Sequence, residues 1–526
     1  MSTEVRRAMS RPAAALVASL ALGLLAGCDL APVYDPPHFI LPESYQGSGP
    51  FKVAHPEEAL TARGDWWTLF GDARLNELED QLGRANPTLA AAADAYAEAR
   101  SLAAEAQAAL SPQVSASAGT SYNKSSVNRL FRNPNSPAPL REASNQWGAA
   151  ASWEPDFWHS LRNSAHAQKR LAQASAADLA NARLSLQAEL ASDYVAVRGL
   201  DAQLDVLRQS IASYQAAVEV ARLRTRGQIA SGLDLARALS QLDSAQAQET
   251  ETRLQRDLMQ HAVAVLVGAM PSTFSIAPTD EFRLTPPHLP AGVPSELLQR
   301  RPDIASAERQ MAAANAEIGV SRAAFYPNVT FNLTGGFQDS GFNLLSLPNS
   351  LWSVGAGAIE PLFDGGLRRA QLRHSWAQYA QTRDEYRGTV LAAFQEVEDG
   401  LSQTQRLETE DSQEHEAGDQ AAQALSISTM LYKDGLDNYL SVAVAQVQAL
   451  ATQLSEVQIR TRQIQAAVSL IRALGGGWTG QALPDEKQTL AKFLNGREST
   501  KIIGAPWQCG RHARRSAFKF GSSMNA

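Results

Sequence analysis

The chain has 526 residues, with 47 Lys+Arg against 54 Asp+Glu, a formal charge of −7. So mild an acidic balance excludes the basic footprint of a nucleic-acid binder, and no nucleic acid is expected as a partner. Two cysteines, Cys28 and Cys509, exclude a disulfide framework, and nine scattered histidines show no metal-ligand spacing, so no metal or cofactor is expected.

Residues 1–27 have the order of a lipoprotein signal peptide. Arg6, Arg7 and Arg11 give the positive start, and Ala13 to Leu25 gives an apolar run too short to span a bilayer comfortably. Leu25-Ala26-Gly27-Cys28 ends it in the pattern of a lipobox, which predicts lipidation at Cys28. A diacylglycerol thioether with an N-acyl chain suffices for stable anchoring. Asp29 follows, at the position where an acidic residue often signals inner-membrane retention in enteric lipoproteins.

Residues 28–110 form the lipidated N-terminus and a first helical segment. Residues 111–156 read as a strand hairpin: Pro112 to Thr120 is rich in small and hydroxyl residues, a polar loop passes Asn133-Pro134-Asn135-Ser136-Pro137, and Trp147 to Trp153 returns. Residues 157–271 read as a helical hairpin. No proline lies between Pro155 and Pro271, and Ala, Leu, Gln, Glu and Arg dominate. Tyr194, Val197, Leu200, Leu204, Leu207, Ile211, Tyr214, Val218 and Ala221 alternate steps of three and four, a coiled-coil seam. Asp193, Arg198, Asp201, Asp205 and Arg208 between them read as a solvated face. Gly227 and Gly232 interrupt the pattern, followed by Asp234, and permit a reversal.

The plan then repeats. Residues 272–327 form a connector and a helix, and 328–361 a second strand hairpin whose Asn328 to Thr334 alternates apolar and polar. Residues 362–478 form a second long helical hairpin, without proline from Pro361 to Pro484, reversing near Tyr432, Gly435 and Asp437. Glu154-Pro155 matches Glu360-Pro361, and Gly227 is matched to Gly435, which marks an internal duplication. Residues 479–526 form a C-terminal extension with basic Arg511, Arg514, Arg515 and Lys519. No later run, including Ala262 to Met270, is long enough for a transmembrane helix, so any membrane crossing must use strands. Four strands cannot close a barrel; eight from two copies or twelve from three could. No nucleophile elbow or phosphate loop is present, and an enzyme is not expected.

Taken in order, several short runs resemble the TolC-like outer-membrane factors, specifically the NodT-type lipoproteins. They are the lipobox, Trp66-Trp67, Phe70-Gly71-Asp72, Asn86-Pro87, Arg300-Arg301-Pro302-Asp303-Ile304, Phe325-Tyr326-Pro327, Pro361-Leu362-Phe363-Asp364-Gly365-Gly366 and Leu474-Gly475-Gly476-Gly477-Trp478. The resemblance implies a mixed α and β membrane protein: a homotrimeric twelve-stranded β-barrel, four strands per protomer, continued by a long α-helical coiled-coil periplasmic tunnel. It implies an outer-membrane, lipid-anchored exit duct for small molecules in a tripartite efflux system. The partners would be a periplasmic adaptor and an inner-membrane pump of the resistance-nodulation-division type. By position, Gly227 to Asp234 and Tyr432 to Ala445 would be the tunnel tips. The family usually has Leu-Asp-Ala-Gln after the tip; here Ala443-Val444-Ala445-Gln446 puts Val444 in place of Asp. Asp234 and Asp437 are then the candidates for an acidic lining, or ordinary turn residues. A type I protein-secretion channel, or a lipid-anchored periplasmic coiled-coil scaffold, stays open as an alternative.

Overall fold

The computed structural model describes residues 29–39, 65–124, 126, 141–279, 284–287, 297–486 and 488–490. Cys28, the 127–140 loop and the basic C-terminal residues lie outside them. A 3-10 turn at Trp66–Phe70 leads into α1 (Ala73–Ala85) and α2 (Pro87–Ala108), then β1 (Gln113–Lys124) and β2 (Arg141–Trp153). The first arm is α3 (Ser160–Arg226) and α4 (Gly232–Leu266). The second half comprises α5 (Leu297–Arg300), α6 (Pro302–Ala323), β3 (Asn328–Asp339), β4 (Ser350–Ile359), α7 (Leu367–Lys433) and α8 (Tyr439–Ala473).

The duplication is visible in element lengths. Helices α3 and α7 each have 67 residues, α4 and α8 each 35, and α2 and α6 each 22. Arm helices start 207 positions apart, at 160 and 367 and at 232 and 439; α2 and α6 start 215 apart, at 87 and 302. The spacing changes across the strand hairpins, the second of which is shorter.

A helix of 67 residues is about 100 Å long at ~1.5 Å per residue. Propensity alone does not hold such a rod, so it needs a packed stripe. Every seam residue from Tyr194 to Ala221 is buried. The solvated-face expectation fails at Asp201. That carboxylate is buried, with Arg256 Nε donating to it at 2.5 Å and Arg198 Nη1 at 3.2 Å. The reason is the connector after α4, whose Ile276 and Ala277 carbonyls accept from Arg256 and Arg198. A buried carboxylate is tolerable only when paired in this way.

Helices α2 and α4 both pack on α3, while α6 and α8 both pack on α3 and α7. The wall is therefore four helices wide along its length, with α2 stacked end to end on α4 and α6 on α8. The two stacking junctions share one design. Asn86, before Pro87, caps α2 by accepting from Leu89 N–H at 2.8 Å and donates to the last α4 carbonyl, Leu266 O, at 2.7 Å. Arg301, before Pro302, donates to the last α8 carbonyl, Ala473 O, at 3.1 Å. Opposite each lies a glycine with left-handed backbone: Gly268 (φ +69) against Ala85 O and Gly475 (φ +90) against Arg300 O. A β-carbon at either would collide with that carbonyl. The Asn-Pro, Arg-Pro-Asp and Gly-Gly-Gly runs are thus joints.

The strands form one antiparallel sheet in the order β1-β2-β3-β4. Its register puts Val114, Tyr122, Trp147, Trp153, Phe331, Leu333, Phe337, Trp352 and Val354 on one face. Ser115, Ser117, Gln146, Ser152, Asn332, Thr334, Gln338 and Ser353 take the other. Trp147 stacks on Phe337 at 5.3 Å and Trp153 on Phe331 at 6.2 Å between ring centres. One mainly apolar face, with Thr120, Asn145 and Asp339 at its loop end, and one mainly polar face, with Leu351 and Ile359 as its apolar exceptions, make the pattern of a lipid-facing wall around a wet lumen.

Residues 29–39 run along α6 from its sheet end. Arg322 donates to Leu30 O, Asn315 to Pro32 O, and Tyr34 OH to the Glu308 carboxylate. Against the effect of burial, Asp29 is held below the usual carboxylate range by accepting from the Ala31 N–H and from the Asn163 amide at the start of α3, each at 3.0 Å.

Candidate functional site

The far ends of the arms carry two reversals built alike. In the first, Gln228 N–H bonds to Thr225 O and Ile229 N–H to Arg224 O; in the second, Gly435 N–H bonds to Tyr432 O and Leu436 N–H to Leu431 O. These are paired Schellman caps, each requiring one left-handed residue. That residue is Gln228 (φ +57) in the first arm and Gly435 (φ +77) in the second. The match of Gly227 to Gly435 is therefore one residue off. Gly227 (φ −73) is the helix C-cap, equivalent to Asp434. Gly232 opens α4 with nothing within 4 Å of a β-carbon. After each cap, Ser231 or Asn438 accepts from the N–H two residues on, at 3.1 and 2.9 Å, and starts the return helix.

The tips touch through Arg224 and Tyr432. The guanidinium lies 4.6 Å from the Tyr432 ring centre and donates to the Tyr432 carbonyl. Tyr432 packs edge-on against Tyr439, whose hydroxyl donates to Gln446 Oε1. Burial pushes both phenols up, aided by the Asp234 charge at Tyr432 and by the neighbouring Tyr432 and Tyr214 at Tyr439, which rises to about 12, so both stay neutral at physiological pH. Asp234 lies in the first turn of α4. Asp437 accepts from the Asn438 N–H at 2.6 Å, a turn contact. Val444 is exposed, and its counterpart 207 positions earlier is Arg237.

The apolar residues following each cap, Ile229 and Leu436, are 71% and 75% exposed; Leu233 and Leu440 beside them are also open. Arg224 lies outside the ranges read as tips, and Ile229 and Leu436 lie inside them without being singled out, although an apolar residue after a reversal glycine was a usable signal. Among the described residues no His/Cys/Asp/Glu group suits a metal, and no helix is long and apolar enough to cross a membrane.

A divided apolar/polar sheet ending in paired coiled-coil arms defines a membrane-duct subunit, and the chain belongs to the outer membrane efflux protein family, whose model matches residues 78–269 and 293–476. Among relatives, it is 30% identical over 423 residues to the pyoverdine export outer membrane protein OpmQ of Pseudomonas aeruginosa, covering 78% of this chain and 87% of the relative. It is 29% identical over 495 residues to the outer membrane protein OprJ of the same organism, covering 93% and 100%. A crystal structure of a membrane protein from P. aeruginosa superposes with a TM-score of 0.79 at 27% identity, covering 86% of this chain and 98% of that one. The chain is thus an outer-membrane component of efflux.

Proposed function

We propose that three copies close into one duct, the passive outer section of a tripartite efflux pump, which does no covalent chemistry itself. One observation carries this reading. The sheet ends in β1 and β4, and neither outer edge has a strand partner among the described residues. Open strand edges are not tolerated in lipid, so β1 of one copy must pair with β4 of the next. Twelve strands leave a lumen that eight would fill with side chains. The strap at Asp29, fixed at the sheet end of the helices, suits an anchor on Cys28 beside the membrane.

The tips would meet a periplasmic adaptor that links the duct to an inner-membrane pump of the resistance-nodulation-division type. Ile229, Leu233, Leu436 and Leu440 supply the exposed apolar surface for that contact. Gly227, Gly232, Asp234, Tyr432, Gly435, Asp437 and Val444 belong to this aperture. Arg224 Nε and Tyr432 Oη are buried without hydrogen-bond partners among the described residues, so the contact between the tips is not at its polar optimum.

The test is cross-linking across the edges. Val114→Cys on β1 and Ala358→Cys on β4, joined by a short bismaleimide in outer-membrane fractions, should give a ladder that stops at three chains. A ladder ending at two, or monomer alone, overturns the trimer.

A further inference from the structure

Two cavities of about 560 and 470 Å³ open on the arm wall, and both are lined by Arg462 and Gln465 of α8. They adjoin at these two side chains, one lying between α7 and α8 and the other, a groove, among α3, α4 and α8. The groove's side of the wall follows from the helix faces. On α3, Arg198 and Asp201 face the connector, while Leu200 and Gln203 line the groove. On α4, Arg256 and Gln260 face the connector, while Leu258 and Met259 line the groove. The described part of the connector lies on the first side, and there Tyr194 OH donates to Asp72, just before α1. In the closed duct proposed above this bulk falls outside the cylinder, which turns the groove side to the lumen.

The groove is bipartite. Leu200, Leu258 and Met259 make an apolar floor, and Leu258 is 53% exposed. Gln203, Gln458 and Gln465 line the other side. Their amides are only loosely engaged, with Gln458 donating to Gln203 at 3.5 Å and Gln465 to Ser192 O at 3.3 Å. The floor cannot be filled from the wall itself, because α3 and α8 already touch beside it: a β-carbon on Gly199 would collide with Thr461. Arg462 is paired with Glu410 at 2.7 Å, so its charge is already met.

We propose that this groove is a way-station in the tunnel for uncharged amphipathic aromatic solutes, with the ring on the Leu258–Met259 floor and the polar group on the glutamine amides. An apolar floor with a few amides that can donate or accept is the usual makeup of a small-molecule site. The proposal rests on the duct reading, which makes this face the solute path. Three copies would place three such sites at one level.

The probe is Prodan, a neutral naphthyl ketone whose emission shifts blue on leaving water, titrated into full-length protein held in amphipol. The expected result is saturable blue-shifted binding at about one probe per chain, weakened about tenfold in L258Q/M259Q and about threefold in Q203L/Q458L. Both variant pairs alter partly exposed side chains, and ion conductance in planar bilayers verifies assembly. Non-saturable binding, or equal affinity in wild type and both variants, overturns the groove. A wild-type protein that binds Prodan but conducts no ions overturns the duct reading instead.

Discussion

The two stacking junctions reach one geometry by different chemistry. In the first half a neutral amide, Asn86, joins the end of α4 to the start of α2; in the second a guanidinium, Arg301, joins α8 to α6. Arg301 does more than its counterpart. It forks onto its own Asp303 at 2.6 and 3.0 Å and reaches Glu396 of α7 at 2.8 Å. What the halves share is steric: a proline that starts the upper helix, and a left-handed glycine where two backbones meet. What they do not share is the donor. Duplication has kept the positions where only one residue type fits and let the rest diverge.

Breaking the shared part should cost most. Gly475→Ala and Gly268→Ala each force a left-handed non-glycine residue and a backbone collision, and each is expected to destabilise by more than about 3 kcal/mol. Thermal melting of the purified protein reads this, with Gly232→Ala as the control that should stay within about 1 kcal/mol. A mild effect at 268 or 475 would mean the joints can relax.

Next is the divergent part. Arg301→Ala strands Asp303 and the Ala473 carbonyl and should cost about 2–4 kcal/mol, discounted because Glu396 is 41% exposed and screened. Asn86→Ala loses a cap and one buried hydrogen bond, about 1–2 kcal/mol. Equal losses in urea unfolding would show that the added ion pairs contribute nothing.

A third difference concerns pH. Glu79 of α1 is buried with both carboxylate oxygens unpartnered among the described residues, and burial pushes it up to about 9. Its folded value lies above its unfolded one near 4.3. The native state therefore holds the extra proton, and stability should fall as pH rises from about 4.5 toward 9. Glu79→Gln should flatten that slope and stabilise the protein at pH 8 by about 1–3 kcal/mol. A pH slope unchanged by the substitution would place the ionisation elsewhere.

The smallest effect separates the tips. Gln228→Gly relieves a left-handed glutamine and should stabilise by up to about 1 kcal/mol, whereas Gly435→Ala should destabilise by a similar amount. Opposite signs in the same melting assay confirm that position 228, not 227, is the partner of 435.

Much of the architecture was legible because it is periodic. The three-and-four seam on α3, the two proline-free stretches and the alternating Asn328 to Thr334 segment each record a local geometry, and their recurrence exposed the duplication. The site was less legible. Gly227 and Gly232 stood out as glycines, yet the left-handed turn falls on Gln228, because the hydrogen bonds of the cap fix its place and glutamine tolerates it at modest cost. Arg224 is one of several arginines near the end of α3, and only the neighbouring arm shows that it lies on the Tyr432 ring.

By itself the sequence determined the extent of the helical arms, the alternation of the Asn328 to Thr334 strand, the duplication and the shortage of strands, since these depend on residue periods of 3.6 and 2 and on where proline is missing. The tertiary structure alone decided that Asp201 is buried with Arg256, that Asn86 and Arg301 are equivalent donors, and that a two-sided groove lies among α3, α4 and α8. Each of these depends on residues tens to hundreds of positions apart, and no local pattern encodes which distant carbonyl, charge or wall a side chain will meet.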